Sequence, residues 1–145
     1  MITIFKQTTI DKRILTQLNI DPKSLINNEH DYSKEIVKKP WGYEYQLFSN
    51  QELAVWILHI NGGEETSFHC HPNKDTALTV LETQHFVICG SLHISKPLQK
   101  GDTLLINKGT FHKTTALFYP AIVMEIETPI NKNDLVRYKD NYGRV

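Results

Sequence analysis

The sequence predicts an all-β barrel or sandwich preceded by a short, partly helical extension. From Lys39 onward, short apolar runs alternate with turn-forming residues, and no stretch of helical periodicity separates them. The 145 residues are enough for one hydrophobic core and leave no room for a second sizeable one. Many short strands around a single core are typical of antiparallel barrels and sandwiches.

The first part of the chain, residues 1–38, is polar and rich in Lys, Asn and Asp. Apolar residues recur at helical spacing between Asp11 and Leu18, and Asp11 is a candidate N-cap. A second short helix is predicted from Asp21-Pro22 through Ile26, because proline is favoured in the first helical turn. We therefore predict an N-terminal extension over residues 1–38 and a barrel with a C-terminal tail over residues 39–145.

The barrel part contains eight strand candidates separated by turn signals such as Asn61-Gly62-Gly63. They lie at residues 43–48, 53–60, 76–81, 85–89, 92–95, 103–106, 113–117 and 121–127. The tail, residues 133–145, is polar, and no strand is predicted there. We found no internal repeat and no low-complexity segment.

Charge and cysteine content narrow the classes of partner and compartment. Lys and Arg number 16, as do Asp and Glu, so the formal net charge is zero and neither nucleic acid nor a membrane is expected as partner. Two cysteines do not make a disulfide framework. The start of the chain lacks the apolar run of a signal peptide, and the longest apolar run, 53–60, is too short to span a bilayer. We predict a cytoplasmic location.

Three histidines form the sharpest local pattern. His69 and His71 are two residues apart in an extended segment, so their side chains point to the same side while Cys70 points away. His112 follows a predicted strand and turn. Two imidazoles on one face need one or two further donors to hold a metal ion. Taken alone, this pattern more often belongs to ordinary surface or hydrogen-bonded histidines than to a metal site.

Glycines around the histidines give the pattern more weight, because both segments resemble the two consensus stretches of the cupin superfamily. The matching positions are Gly63, His69, His71, Gly101, Gly109 and His112, and the departures are Thr76, Thr83 and Asn107. The resemblance implies a double-stranded β-helix, or jelly-roll barrel. It also implies that His69, His71 and His112 bind a divalent metal ion, for which zinc is the first expectation and manganese, nickel and iron are alternatives.

Two flanking motifs narrow the resemblance to the cupin domain of type II phosphomannose isomerases. These are Lys39-Pro40-Trp41-Gly42-Tyr43-Glu44 at the start of the barrel and the segment from Asn133 to Arg144 at its end. One departure stands out, since Thr76-Ala77 occupies the place of a Glu-His pair and removes a carboxylate ligand. Asp75 is one position out of register. It would need a small backbone adjustment to serve as the carboxylate ligand, and strand alternation argues against this.

Isomerisation of a sugar phosphate needs a base, a Lewis acid and cationic anchors for the phosphate. We single out Glu44, Lys74 and Arg144 as candidate catalytic residues. Arg137 is a further candidate anchor, and His59, Glu125 and Glu127 are further candidate bases.

Most of these residues also have a structural interpretation. Lys74 fits a solvated loop lysine, both arginines could pin the tail to the barrel, His59 fits an interior residue, and the two glutamates are expected on the solvent face. Trp41 fits a packing residue or a sugar-stacking wall.

Three functions are compatible with this pattern. The first is an isomerase or epimerase that acts on a sugar phosphate or a nucleotide-linked sugar, resembling mannose-6-phosphate isomerase. The second is a non-catalytic sugar-binding or regulatory cupin, which the loss of the carboxylate at Thr76 favours. A metal-dependent oxygenase ranks last, because no flanking motif supports it. The resemblance further implies a homodimer.

Overall fold

The computed structural model describes residues 3–25, 36–92, 94–131 and 133–144. Contacts divide the chain into two compact units, residues 1–31 and 32–145, and each is described by itself. The division falls within residues 26–35, which lie outside the described residues. This range includes Ile26, the last position of the second predicted helix. The boundary predicted after residue 38 therefore stays a prediction.

Within residues 3–25, the N-terminal unit contains one α-helix, α1 (Thr9–Gln17), followed by a 3₁₀ turn (Pro22–Ser24). The N-cap is Thr8 rather than Asp11, so this detail of the prediction was wrong. Asp11 lies at the third helical position, where its carboxylate accepts a hydrogen bond of 2.7 Å from the Thr8 backbone nitrogen. The Thr8 hydroxyl accepts in return from the Asp11 nitrogen at 3.1 Å, which completes a capping box.

The described residues of the second unit form eleven strands. They are β1 (Val37–Lys39), β2 (Gly42–Ser49), β3 (Ala54–Ile60), β4 (Phe68–Cys70), β5 (Asp75–Glu82), β6 (Val87–Gly90), β7 (Ser95–Leu98), β8 (Thr103–Ile106), β9 (Lys113–Ala116), β10 (Ala121–Thr128) and β11 (Val136–Lys139). Strands β1, β4 and β11 are not among the eight predicted strands, although the segment of His69 and His71 that contains β4 was expected to be extended. Strand β7 begins at Ser95, where the predicted strand ends, and it contains Pro97. Proline is tolerated there because β7 lies at a sheet edge, where the missing N–H is not needed.

The strands form two antiparallel layers around one core. One layer is a six-stranded sheet in the order β1-β2-β3-β10-β5-β8. The other combines β7-β6-β9 with the pair β11-β4, which are joined by isolated antiparallel bridges between Glu65 and Thr115 and between His69 and His112. Apolar residues from both layers, such as Leu58, Val80 and Val87, pack into a single buried cluster. The predicted all-β fold is confirmed.

Strand alternation on β3 and β10 decides which side chains face the interior. Trp56 and Leu58 face inward from β3, whereas His59 lies on the outer face, stacked on Tyr43 with ring centroids 4.3 Å apart. The same-face residues on β10 are the alternate positions 121, 123, 125 and 127, which lie opposite residues 60, 58, 56 and 54 of β3. Glu125 and Glu127 therefore share the inner face, and the expectation that they face solvent was wrong.

Both cysteines are free and buried, at 4% exposure for Cys70 and 3% for Cys89, as expected of packing residues. Burial raises the pKa of the Cys89 thiol to about 11. None of the described helices has the length and apolar composition that a membrane-spanning helix requires.

Replacing Gly42 with alanine is expected to destabilise the barrel strongly. Gly42 has φ +146°, and a Cβ there would lie 1.9 Å from the carbonyl oxygen of His59 on the neighbouring strand. We expect a loss of at least about 2 kcal/mol in the free energy of unfolding, measured by urea denaturation. Gly143→Ala is the control, because Gly143 also has a positive φ (+73°) but no atom within 4 Å of the added Cβ. Its expected loss is about 1 kcal/mol, so equal losses in the two variants would show that the close approach to His59 is unimportant.

Candidate functional site

Three histidines meet where β4 and the start of β9 run side by side. His69 lies in β4, His71 follows its last residue, and His112 precedes β9. His69 and His112 form an antiparallel bridge with reciprocal backbone hydrogen bonds, 3.0 Å from the His69 nitrogen and 2.8 Å from the His112 nitrogen. The loop that follows β8 thereby brings His112 to the pair predicted from the His-x-His pattern.

Backbone carbonyl oxygens fix the tautomer of all three imidazoles. Nδ1 lies 2.7 Å from the Ser67 carbonyl oxygen in His69, 2.7 Å from that of Asp134 in His71 and 2.9 Å from that of Thr110 in His112. Because a carbonyl oxygen can only accept a hydrogen bond, each Nδ1 carries the proton. Each Nε2 is therefore left with a free lone pair, the form in which imidazole binds a metal ion.

The three rings lie close together in a buried place. Ring centroids are 4.9 Å apart for His69 and His71, 4.7 Å for His69 and His112, and 5.5 Å for His71 and His112. Burial lowers the pKa of His69 to about 3 and that of His112 to about 4, and it also lowers the pKa of His71. All three rings are therefore neutral at pH 7.

These residues fit a divalent metal ion. One ring nitrogen of each histidine lies within 4.8 Å of those of the other two. Among the described residues, these three histidines are the one cluster of at least three histidine, cysteine or acidic side chains that could hold a metal ion. Nε2 of His71 is buried and has no hydrogen-bond partner among the described atoms. An unpaired buried nitrogen is costly unless a ligand satisfies it, and a metal ion would do so.

The burial of neutral histidines is expected to make the metal-free protein less stable in mild acid. In the unfolded chain imidazoles bind protons below pH about 6.5, whereas folded His69 and His112 stay neutral to about 3 and about 4. The unfolded state therefore binds more protons in this window, and stability falls as the pH is lowered through it. Each histidine contributes up to about 1.4 kcal/mol per pH unit.

Urea denaturation in the presence of a chelator, compared at about pH 7 and about pH 5, measures this effect. The variant His112→Asn should show a shallower pH dependence than the unchanged protein, because one of the buried imidazoles is gone. A free energy of unfolding that does not change between the two pH values would contradict the burial of neutral rings.

A cavity of about 100 Å³ opens onto the histidines from the inner face of the barrel. Its wall contains all three predicted catalytic residues, Glu44, Lys74 and Arg144, together with the three histidines. Their catalytic roles stay predictions, but they share one cavity although they are up to 100 positions apart in the sequence. The other lining side chains are Lys39, Trp41, Trp56, Leu58, Thr66, Ser67, Thr114, Glu125, Glu127, Leu135 and Arg137.

Lys74 is buried, at 4% exposure, so its interpretation as a solvated loop residue was wrong. It lies in the loop between β4 and β5, and its ammonium group forms an ion pair with the equally buried carboxylate of Glu127. The indole nitrogen of Trp56 donates a second hydrogen bond, of 3.1 Å, to the same carboxylate. A buried lysine needs such a partner, because an unpaired charge in the interior is costly.

The other two predicted catalytic residues are held by neighbours of opposite charge. The Glu44 carboxylate lies 3.3 Å from Nζ of Lys39, at the start of the barrel. Arg144 donates to both carboxylate oxygens of Asp140, at 2.8 Å from Nε and 2.7 Å from Nη2. These bonds lower the pKa of Asp140 to about 2. Arg144 therefore stabilises a turn within the tail. Its ion pair with Asp140 does not connect the tail to the barrel.

Several contacts hold the tail against the barrel. Strand β11 pairs with β4, so that Arg137 lies directly opposite His69. The Asp134 carboxylate accepts hydrogen bonds of 2.8 and 2.9 Å from Asn73, and the Tyr142 hydroxyl lies 2.5 Å from the Glu64 carboxylate. Desolvation, followed by the bond to Glu64, raises the pKa of Tyr142 to about 12.

Asp134 and Lys39 also contact residues of the candidate site, although no sequence pattern singled them out for it. Asp134 contributes its backbone carbonyl to His71, a role that any residue type could fill and that no side-chain pattern reveals. Lys39 pairs with Glu44, and its place in the motif that opens the barrel was an available signal.

Two residues considered from the sequence, His59 and Asp75, lie away from the cavity. Thr76, which stands where the resembling enzymes have a glutamate, lies in the interior. His59 is on the outer face of the six-stranded sheet, as described above, so it does not line the cavity. Asp75 is exposed and accepts a hydrogen bond of 3.1 Å from the Lys108 backbone nitrogen, in agreement with the argument from alternation. Thr76 is 3% exposed, and its hydroxyl is buried without a partner among the described atoms.

Comparison with solved structures gives many similar chains, among them three at 20% sequence identity or less. KdgF from a Halomonas species is 20% identical, with a TM-score of 0.61 over 74% of this chain and 94% of that one. An RmlC-like cupin from Shewanella frigidimarina is 16% identical, with a TM-score of 0.60 over 74% of this chain and 96% of that one. A sugar phosphate isomerase of the cupin superfamily from Silicibacter pomeroyi is 14% identical, with a TM-score of 0.55 over 68% of this chain and 76% of that one.

Sequence comparison adds no closer relative. No protein-family profile matches the chain, and no curated protein matches it. The structural likeness and the strand order therefore carry the assignment of the fold. With a double-layered antiparallel barrel, a histidine trio on its inner side and solved cupins as its structural neighbours, the chain has the cupin fold.

Proposed function

We propose that this protein is a metal-dependent cupin that acts on a sugar phosphate or a nucleotide-linked sugar as an isomerase or epimerase, similar to mannose-6-phosphate isomerase. The observation that carries the proposal is the cavity that combines three neutral, metal-competent imidazoles with carboxylates and cations in one wall. Aldose–ketose isomerisation can use this combination, because a base moves a proton between two carbons, a Lewis acid polarises the carbonyl group and cations hold an anionic substrate. The sugar phosphate isomerase among the structural neighbours supports the same direction.

His69, His71 and His112 would hold the metal ion, and zinc is the first expectation, with manganese, nickel and iron as alternatives. A divalent ion bound there would supply Lewis acidity toward a carbonyl oxygen. The hydrogen bonds from each Nδ1 to a backbone carbonyl orient the rings before any ion arrives.

We assign the proton transfer to Glu44. Its carboxylate would take the proton from the hydroxyl-bearing carbon beside the carbonyl group and deliver it to the carbonyl carbon. The proton of that hydroxyl group would move to the former carbonyl oxygen, so that Glu44 ends the cycle unchanged. Lys39 holds that carboxylate in place by its ion pair. Lys74 would donate a hydrogen bond to a substrate hydroxyl, and Arg144, fixed by Asp140, would contact a further oxygen of the substrate.

Proton exchange measured by NMR in D₂O tests this proposal with the zinc-, manganese- and nickel-loaded protein. Deuterium should enter mannose 6-phosphate, or another hexose phosphate, at the carbon next to the carbonyl. Exchange should fall by at least about 100-fold in Glu44→Gln. Glu52→Gln is the matched control, since Glu52 is an exposed acidic residue outside the cavity. Absence of exchange across the hexose phosphates would overturn the isomerase proposal.

A non-catalytic sugar-binding cupin is the second candidate, and Thr76 favours it. The hydroxyl of Thr76 occupies the interior where the resembling enzymes place a carboxylate. This alternative predicts binding of a sugar phosphate by calorimetry without any deuterium exchange.

We further propose that the protein works as a homodimer, with a small sugar phosphate and neither nucleic acid nor membrane as its partner. Sedimentation velocity tests the dimer, and a single species at the monomer mass would contradict it.

A further inference from the structure

The candidate metal site consists of neutral ligands alone. The group that can hold an ion contains three imidazoles and no carboxylate. A divalent ion bound there would keep both of its positive charges, and bound ions are often the largest local charges in a site. Such a site favours an anionic ligand over a neutral one.

Two of the three carboxylates in the cavity wall are already paired with cations of the protein, and none of the three belongs to the group that can hold an ion. Glu127 is held by Lys74 and Trp56, and Glu44 lies beside Lys39. Among the described lining residues, four cations face three carboxylates, so the wall itself is not acidic. Adding a divalent ion makes the cavity positive.

One cation in the wall lies next to the histidines. Arg137 on β11 is directly opposite His69 on β4 in the antiparallel pair, and both residues line the cavity. Residues opposite one another in such a pair hold their side chains on the same face, with Cβ atoms about 5 Å apart. Nε of Arg137 is buried and has no hydrogen-bond partner among the described atoms. A guanidinium donor without a partner, beside a candidate metal site, is suited to an anionic oxygen.

We propose that an anionic oxygen of the ligand, from a phosphate or a carboxylate, binds the metal ion and Arg137 together and so takes the place of a carboxylate ligand from the protein. This inference rests on the proposed metal site and goes beyond the proposed function, because it makes metal binding and anion binding depend on each other. By thermodynamic linkage, the anion must tighten metal binding by the same factor by which the metal tightens anion binding.

Binding of Co²⁺, followed by calorimetry and by the visible absorption of the ion, tests the coupling on the full chain. Titrations are made alone, with inorganic phosphate, with glycolate, and with glycerol as a neutral control. We expect phosphate or glycolate to tighten Co²⁺ binding by at least about 10-fold and to shift its absorption bands, and glycerol to do neither. A response to phosphate alone indicates a phosphate ester as the ligand, and a response to glycolate alone indicates a hydroxy acid.

Arg137→Gln should reduce the coupling to below about 2-fold while Co²⁺ still binds in the absence of anions, which also shows that the variant is folded. Lys139→Gln is the matched control, because it removes the same charge from the same strand at an exposed position outside the cavity. It should keep the full coupling. Co²⁺ binding that is unaffected by both anions, or coupling that survives in Arg137→Gln, would overturn this inference and leave the metal site intact. Failure of Co²⁺ to bind at all would overturn the metal site of the proposed function as well.

Discussion

Replacing His71 with alanine is expected to abolish stoichiometric metal binding. The variant loses one of three ligands, and the two that remain cannot enclose an ion. Removal of a partner outside the ligand set already costs about 10- to 100-fold in metal affinity, so we expect a loss of more than about 100-fold here. Elemental analysis of protein purified without a histidine tag, together with Zn²⁺ calorimetry, measures the effect.

His59→Ala is the matched control for this prediction. It removes the same side chain from the same barrel, but on the outer face of the six-stranded sheet, where His59 stacks on Tyr43. Metal content should be unchanged in this variant. If His71→Ala kept a full equivalent of metal, the histidine trio would not be the metal site.

Glu127→Gln is expected to destabilise the protein by about 3–5 kcal/mol, the cost of leaving one member of a buried ion pair without its partner. The substitution preserves an oxygen that can accept the hydrogen bond from Trp56, so the loss reports the unpaired ammonium of Lys74. The free energy of unfolding from urea denaturation at about pH 7 measures it. Lys74→Met should have an effect of similar size, because it leaves the Glu127 carboxylate buried and unpaired.

The double variant Lys74→Met/Glu127→Gln separates the ion pair from other effects of the two changes. It removes both charges, so we expect it to be more stable than either single variant. Glu82→Gln is the control for a loss of charge, since the pair of Glu82 with Lys100 is more than half exposed and should contribute at most about 1 kcal/mol. Additive losses in the double variant would show that Lys74 and Glu127 do not stabilise each other.

Local patterns explain why much of the barrel could be predicted from the sequence. Strand β8 lies at Thr103–Ile106 as predicted, and β3 and β10 agree within one residue, because apolar runs bounded by turn residues are a local signal. Strand β11 was missed because Val136–Lys139 is a short, mostly exposed segment within an otherwise polar tail. It is a strand only because β4 offers it a partner.

The histidines show the same division within the site. The spacing of His69 and His71 places both rings on one side by the period of an extended chain, and His112 was found through its glycine context. Their tautomers depend on carbonyl oxygens of Ser67, Thr110 and Asp134. The carbonyl of Asp134, 63 positions from His71, has no counterpart in any side-chain pattern.

The sequence by itself determined the all-β class, most strands and the three histidines, because each depends on residues near one another in the chain. Only the tertiary structure decided that Glu125 and Glu127 face the interior and that Lys74 is buried. Alternation with a period of two determines which residues share a face, but not which face is inside. That choice depends on packing between distant segments. A buried glutamate or lysine needs a partner of opposite charge, and Lys74 and Glu127, 53 positions apart, meet this need for each other only in the folded chain.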